Sequence, residues 1–262
     1  MNSAISLKNI RVSVGHKTLI ELINLEIPTG KITTIIGPNG CGKSTTLKAI
    51  CRMMPFADGT ITVLDKDVTA YSYKEFARKV AILTQAPLSP ADLTVRDLVA
   101  MGRFPYRGLL GGNSKEDDAC IEWALKETGL LQMKTRLLST LSGGERQRAW
   151  IAMALAQKPE ILLLDEPTTY LDICHQLEVL KLLKKLNSEL HLTVVLVLHD
   201  LNQALMFSDH VAVIKAGHLV VAGNPKEIIT AKLLHEVFRV RADTFTCTNG
   251  LQALVPVDLY EA

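Results

Sequence analysis

The stretch Gly37-Pro38-Asn39-Gly40-Cys41-Gly42-Lys43-Ser44-Thr45 restricts the possible folds of this chain more than any other. It follows the pattern G-x-x-x-x-G-K-[ST], and its flanks agree with it. Ile32 to Ile36 is a short β-branched run between Gly30 and Gly37, the pattern of a buried strand. Beyond Ser44, apolar residues recur at Leu47, Ile50, Cys51 and Met54, which is helical spacing. A glycine-rich turn between a strand and a helix start directs unpaired N–H groups and the positive end of the helix dipole at one place. That place is suited to phosphate. Lys43 adds a full positive charge for β- and γ-phosphates, and the Ser44 hydroxyl is a ligand for Mg²⁺.

The rest of the chain reads as an α/β fold around this loop. Residues 5–27 alternate apolar and polar in short pieces, with Gly15-His16-Lys17 between them, and predict strands around a turn. Asp58-Gly59 opens a further strand piece, Thr60 to Leu64, so the early strands predict a small antiparallel sheet. A short helix and a strand, Val80 to Thr84, lead to Gln85. From Pro87 the texture changes. Thr94-Val95-Arg96-Asp97 and Ser114-Lys115-Glu116-Asp117 are capping-box-like helix starts, separated by a loop at 107–113. Residues from about 88 to 158 predict a mainly helical insertion into the α/β core. Ile161 to Leu164 and Val194 to Leu198 are apolar runs of strands buried on both faces. Asp172 starts a long helix with Ile173, Leu177, Leu180, Leu183, Leu186 and Leu190 on one face. A hairpin at His210–Ala222 and a helix opened by Asn224-Pro225 follow, and the tail beyond about 240 carries little pattern.

Composition excludes several classes. At 262 residues with 48% apolar content, the chain is one large domain or two small ones. A net charge of +2 gives no reason to expect nucleic acid as a partner. Cys41, Cys51, Cys120, Cys174 and Cys247 form no C-x-x-C pair, which speaks against a zinc site or disulfide framework and fits a reducing compartment. The N-terminus lacks the pattern of a signal peptide. Apolar runs such as Val194 to Leu198 fall far short of the ~20 residues that span a bilayer. The expectation is a soluble, cytoplasmic chain.

Asp165 and Glu166 follow the Ile161–Leu164 run. Carboxylates at the carboxyl end of a central strand stand where an open α/β sheet places its ligand. Asp165 is placed to hold Mg²⁺, and Glu166 to polarise a water for attack on a γ-phosphate. A strand-end Asp-Glu alone is ordinary turn chemistry; the phosphate loop gives it meaning.

Leu141-Ser142-Gly143-Gly144-Glu145-Arg146-Gln147 resembles the signature of ATP-binding-cassette (ABC) proteins. With the phosphate loop and the Ile161–Glu166 strand in register, the resemblance runs from about residue 5 to 235. It implies a P-loop NTPase core, RecA-like with a mixed sheet, bearing an antiparallel β subdomain and an inserted α-helical subdomain at about 88–158. It also implies an ATPase domain over 1–240 and a short C-terminal extension over 241–262.

The same resemblance assigns roles. ATP and Mg²⁺ are the cofactors. Gln85 matches the glutamine that senses Mg²⁺ and the γ-phosphate and meets the membrane partner. Tyr170-Leu171-Asp172 matches the aspartate loop that crosses the dimer interface, while Asp172 is equally placed as a helix N-cap. His199 matches the switch histidine on the γ-phosphate. Ser142, Gly143 and Gly144 match the signature positions that bind the γ-phosphate held by the other subunit, which implies a head-to-tail homodimer with ATP between the cassettes. An aromatic residue that stacks on adenine is usual near position 14, where this chain has Val14.

The sequence shows no coiled-coil run, second cassette or membrane helix, so the resemblance implies, as an expectation, a free-standing cassette on separate membrane subunits. Leu93 to Val99, then Gly102-Arg103-Phe104-Pro105-Tyr106, resembles the ATPases of ferric-siderophore, haem and cobalamin importers. That likeness implies two permease subunits, an external binding protein acting through them, and a place on the cytoplasmic side of the inner membrane. It also implies a dock for a permease coupling helix at Gly102–Tyr106; a loop shaped by Gly and Pro is the alternative. An importer of haem, cobalamin, zinc or an amino acid stays open, as does a nucleotide switch outside transport.

Overall fold

A computed structural model describes residues 2–85, 92–108, 114–248, 250 and 252–260. Pro87, most of the 107–113 loop and the extreme C-terminus lie outside the described residues. In chain order the elements begin with β1 (Ser3–Val14), β2 (Lys17–Pro28), β3 (Ile32–Ile36), α1 (Lys43–Ile50), β4 (Asp58–Val63) and β5 (Lys66–Asp67). Then come α2 (Tyr73–Lys79), β6 (Val80–Leu83), α3 (Val95–Met101), α4 (Lys115–Glu127), α5 (Gly143–Ala156), β7 (Ile161–Asp165) and α6 (Ile173–Leu190). The chain closes with β8 (Thr193–Val197), α7 (Leu201–Phe207), β9 (His210–Lys215), β10 (His218–Gly223), α8 (Pro225–Ile228), α9 (Ala231–Leu233), β11 (Val240–Thr246) and β12 (Gln252–Leu259). Two compact units divide them: Met1–Val68 with Val195–Ala262, and Thr69–Val194.

In the first unit, β2-β1-β4-β5 form an antiparallel sheet. Ile5 and Leu7 of β1 oppose Ile27 and Leu25 of β2 and Val63 and Ile61 of β4, and all six are buried. Strict alternation would next bury Asn9; instead Ile10 is buried and the register shifts. Asn9 takes φ 53°, and its backbone N–H and side chain pair with the Asn24 side chain at 2.8 and 3.0 Å. The bulge thus keeps apolar residues inward across a three-residue step. Elsewhere in this unit β3 pairs in parallel with β9, and β9 with β10 antiparallel. Every residue of β3 is buried, as expected for a strand covered on both faces.

The end of this unit departs from the single helix expected after Asn224-Pro225. α8 is one turn capped by Asn224, Thr230 caps α9, and a π-helical turn over Leu234–Phe238 ends at Arg239 with φ 58°. The tail then forms an antiparallel hairpin of β11 and β12. Only Ala242 and Leu254 of the hairpin are buried; Val255, Val257 and Leu259 alternate on its exposed face, broken by Pro256. Asn202 holds it in place: its amide donates to the Leu254 carbonyl at 3.0 Å and its oxygen accepts from the Leu254 N–H at 2.9 Å.

In the second unit, β6 and β7 pair in parallel and every residue of β7 is buried. Around them lie α3, α4, α5 and α6. Three helix starts, Thr94/Asp97, Ser114/Asp117 and Ser142/Glu145, are reciprocal capping boxes that satisfy otherwise orphaned N–H groups. The Gly102–Tyr106 stretch turns largely inward. Arg103 is 2% exposed; it donates to Asp117 Oδ1 at 2.7 Å and to the Ala156 carbonyl at 2.8 Å, and it lies over the Tyr106 ring. Tyr106 in turn donates to the Gln157 carbonyl at 3.0 Å. These contacts close the C-terminal end of α5. Phe104 is left facing outward. Among the described residues, no helix is long and apolar enough to cross a membrane.

Candidate functional site

In the first unit, the phosphate loop links β3 to α1. Gly37 takes φ 152°, and a Cβ there would lie on the Ile214 carbonyl oxygen and 2.8 Å from the Cys41 sulfur. No other residue fits between these groups. Gly42 is the N-cap of α1 at φ 110° and brings no side chain to the cap, so the first N–H groups of α1 receive no side-chain acceptor from it. Lys43 is buried, and its Nζ donates to the carbonyls of Gly37 and Pro38 at 2.9 and 3.0 Å. The loop therefore curls around its own ammonium group. Ser44 and Thr45 follow Lys43 in the first turn of α1, both half-buried. Cys41 is buried in the loop, and burial pushes its thiol above the ordinary range, so it is a neutral packing group. Pro38, Asn39 and Gly40 complete the turn, with the Cys41 N–H on the Pro38 carbonyl at 3.3 Å.

His199 also belongs to this unit. It follows Leu198, whose N–H donates to the Ile35 carbonyl, and precedes Asp200, which caps α7 through the N–H groups of Asn202 and Gln203. A strand end on one side and a capped helix on the other leave His199 exposed on a short, fixed turn. Val14 stands at the end of β1, 55% exposed, opposite Lys17.

The second unit brings together Gln85, Asp165 and Glu166. β6 and β7 run in parallel and end side by side, which places Gln85 beside the Asp-Glu pair. Gln85 Nε2 donates to Glu166 Oε2 at 2.7 Å, and the Thr169 hydroxyl donates to the same oxygen at 3.1 Å. Glu166 adopts φ 54°, a left-handed conformation that costs a non-glycine residue roughly 1–3 kcal/mol and here turns the chain sharply after β7. Asp165 is buried at the strand end. All four line a cavity of about 300 Å³ with Thr84, Arg146 and Trp150.

The signature and the aspartate loop lie in this unit too. Ser142 caps α5: its hydroxyl accepts from the Glu145 N–H at 3.2 Å, and its own N–H donates to Glu145 Oε2 at 2.8 Å. The Ser142 N–H lowers the Glu145 carboxyl below its usual range. Ser142 and Gly143 are exposed, whereas Gly144 is buried. Asp172 caps α6 through the His175 N–H at 2.9 Å, the plain structural role its position suggests. Tyr170 and Ile173, on either side of Leu171-Asp172, are 88% and 76% exposed.

The loop of the first unit offers donors that fit phosphate, and the Asp165 carboxylate of the second offers the hard oxygen that Mg²⁺ takes. Among the described residues no group of three or more His, Cys, Asp or Glu could hold a metal alone. Mg²⁺ keeps waters and phosphate oxygens as ligands and takes one or two from protein. Sequence reasoning passed over Thr169, although its position three residues after Glu166 puts it within reach once the chain turns. It also passed over His175, because a histidine in the first turn of a helix carries no motif.

The geometry agrees with what the chain resembles. The model of the ABC transporter family matches residues 20–169. The iron(3+)-hydroxamate import ATP-binding protein of Bacillus subtilis (strain 168) is 47% identical over 246 residues, covering 94% of this chain and 91% of that protein. The ferric enterobactin transport ATP-binding protein of Escherichia coli (strain K12) is 44% identical over 234 residues, covering 89% and 86%. Among solved structures, a metal-chelate type ABC transporter in an inward-facing conformation has a TM-score of 0.86 at 27% identity over 98% of each chain. A dimeric bacterial ABC transporter cassette has a TM-score of 0.73 at 31% identity, covering 84% of this chain and 98% of that one.

Proposed function

This chain belongs to the ABC transporter family, and from that premise we propose that it hydrolyses ATP to drive import of an iron chelate of the ferric-siderophore kind. The observation that carries the enzymatic part is the Gln85–Glu166 hydrogen bond at the ends of β6 and β7, which aims a fixed carboxylate from a buried strand end. Lys43 and the N–H groups of the loop from Gly37 to Thr45 bind the phosphates. By family resemblance Ser44, Asp165 and Gln85 would hold Mg²⁺, which would offset phosphate charge. Glu166 takes up a proton from the attacking water, and His199 donates to the γ-phosphate. The bond broken joins the γ-phosphorus to the bridging oxygen, which leaves with ADP. Val14 contacts adenine through apolar surface alone.

Residues 1–240 constitute the ATPase domain, with the helical insertion at about 88–158, and residues 241–262 extend it. Ser142, Gly143, Gly144 and Asp172 face the nucleotide of a second copy, so two cassettes close head to tail on two ATP molecules. The dimeric cassette among the similar structures supports this reading. The pair sits peripherally on the cytoplasmic face of the membrane, on two permease subunits served by an external binding protein. The names of the relatives support the iron chelate as cargo.

The test is uptake of radiolabelled iron as a hydroxamate or catecholate chelate in cells whose chromosomal copy carries Lys43→Ala, with tagged chain purified from detergent-solubilised membranes in parallel. Loss of uptake of one chelate, with an integral-membrane protein co-purifying, supports the proposal. Unchanged uptake of every iron chelate rejects the cargo, and the absence of any membrane partner points to a nucleotide switch outside transport.

A further inference from the structure

The two glycines of the signature are shaped by the aspartate loop. A Cβ on Gly144 would lie 2.8 Å from Cγ and 3.1 Å from Cβ of His175, and closer still to Cδ2. One on Gly143 would lie 3.2 Å from Leu171 Cδ2. Real Cβ atoms do not come so near a ring, so the missing Gly144 side chain is the space that the His175 imidazole fills.

The ring is held from its other side. One oxygen of Asp172 accepts the His175 backbone N–H at 2.9 Å and the other contacts His175 Nδ1 at 2.8 Å. A carboxylate only accepts, so Nδ1 carries the proton and the ring orientation is fixed. The backbone N–H of His175, then its ring, hold the Asp172 carboxyl below its usual range. One turn further along the same two helices, Arg148 Nη1 lies 2.7 Å from Glu178 Oε2. Gln176 ties the loop back by donating to the Leu171 carbonyl at 3.0 Å. His175 therefore meets the signature at Cγ and Cδ2 and the aspartate loop at Nδ1.

We propose that His175 is a positioning residue that fixes the distance between the signature turn and the aspartate loop, so that Ser142 and Asp172 meet the partner cassette as one rigid edge. The proposal rests on the head-to-tail reading above. ATP bound by the phosphate loop alone does not depend on it. Closure over the second nucleotide does, because a displacement of either element misaligns the other.

The test compares His175→Ala, His175→Gln, Gly144→Ala and the double variant Gly144→Ala/His175→Ala in the full chain. Three quantities are read: Kd of the monomer for ATP, steady-state kcat and KM, and ATP-driven dimerisation by light scattering in a Glu166→Gln background. His175→Ala is expected to lower kcat roughly ten- to a hundredfold and weaken dimerisation, with the monomer Kd unchanged. His175→Gln, which keeps volume and a donor for Asp172, restores much of both. Gly144→Ala loses activity by driving the ring aside, and the double variant recovers part of it because the collision is gone. If Glu166→Gln dimerises on ATP and His175→Ala neither weakens that nor lowers kcat, the positioning role is wrong and the pairing stands. If Glu166→Gln stays monomeric at saturating ATP, the pairing itself is wrong and the role of His175 falls with it.

Discussion

Gln85 Nε2 donates to Glu166 Oε2 across 2.7 Å, so the side chain expected to sense the γ-phosphate restrains the one expected to orient water. Thr169 holds the same oxygen from the other side at 3.1 Å. Both donors therefore hold one oxygen of the proposed base in place. Glu166→Gln keeps the shape and removes the base. General-base removal lowers rates by roughly 10²–10⁴-fold, so phosphate release should fall by that much while equilibrium ATP binding persists. Near-normal hydrolysis would remove Glu166 from the proposed chemistry.

Lys43 places its ammonium on the carbonyls of Gly37 and Pro38 from a buried position. The charge is already inside the loop proposed to receive phosphate, at little further desolvation. Lys43→Ala removes charge-assisted hydrogen bonds of roughly 1.5–3 kcal/mol each, or about ten- to a hundredfold in Kd apiece. Calorimetric titration at micromolar nucleotide should then show no binding. Retained affinity would mean that the backbone N–H groups alone bind the phosphates.

Arg103 and Asp117 form a buried ion pair in the helical part of the second unit, 2.7 Å apart. Burial alone would raise the Asp117 carboxyl; the hydrogen bonds from Arg103 and Ser114 outweigh it, and the carboxyl lies below its usual range. A depressed carboxyl stabilises the fold above the ordinary aspartate pKa of about 4, and that contribution fades as pH falls through the lower folded value. At neutral pH, Asp117→Asn should cost about 3–5 kcal/mol, because it leaves the guanidinium unpaired. Denaturant titration measures this. Arg103→Met with Asp117→Leu should cost less than either single change.

Much of this was legible in the residues and some was not. Ser114 and Asp117 announce a helix start by spacing, and the structure forms the capping box there. Asp172 announces an N-cap and is one. Such signals are local, and their partners lie three residues away. Arg103 and Tyr106 read as a loop with docking potential, yet they reach across more than fifty residues to the end of α5. Nothing near residue 103 records that the Ala156 carbonyl needs a donor. The β11–β12 hairpin escaped notice for a different reason: its short apolar alternation, Val255, Val257 and Leu259, carries Pro256 inside it and faces outward. At the candidate site, motif register singled out Glu166 and Gln85, whereas Thr169 reaches Glu166 only through the turn after β7 and His175 meets Gly144 only across two helices.

His210 opens β9 with its Nδ1 buried and without a hydrogen-bond partner. Burial lowers its pKa below the ordinary imidazole value. As pH falls through about 6.5, the unfolded chain takes up a proton that the folded chain resists. Stability is therefore lost on acidification until the folded ring is itself protonated. The denaturation midpoint should be lower near pH 5.5 than near pH 7.5, and His210→Phe should remove part of that difference. An identical pH dependence in the variant would assign the effect to other groups.

Val14 ends β1 opposite Lys17 with more than half its surface exposed, at 55%. Its side chain is too small to cover a purine face, so as an adenine contact it offers apolar area and no ring stacking. An aromatic ring at this edge meets no steric obstacle from the sheet, because the position already faces outward. Base–aromatic stacking is worth roughly 1–3 kcal/mol, and an exposed site should realise the lower end, or about fivefold in Kd. Val14→Tyr is accordingly expected to tighten ATP binding by about that factor while kcat stays unchanged. The gain should extend to GTP, since every base has a π-face. Tighter binding of neither nucleotide would place the base somewhere other than beside Val14.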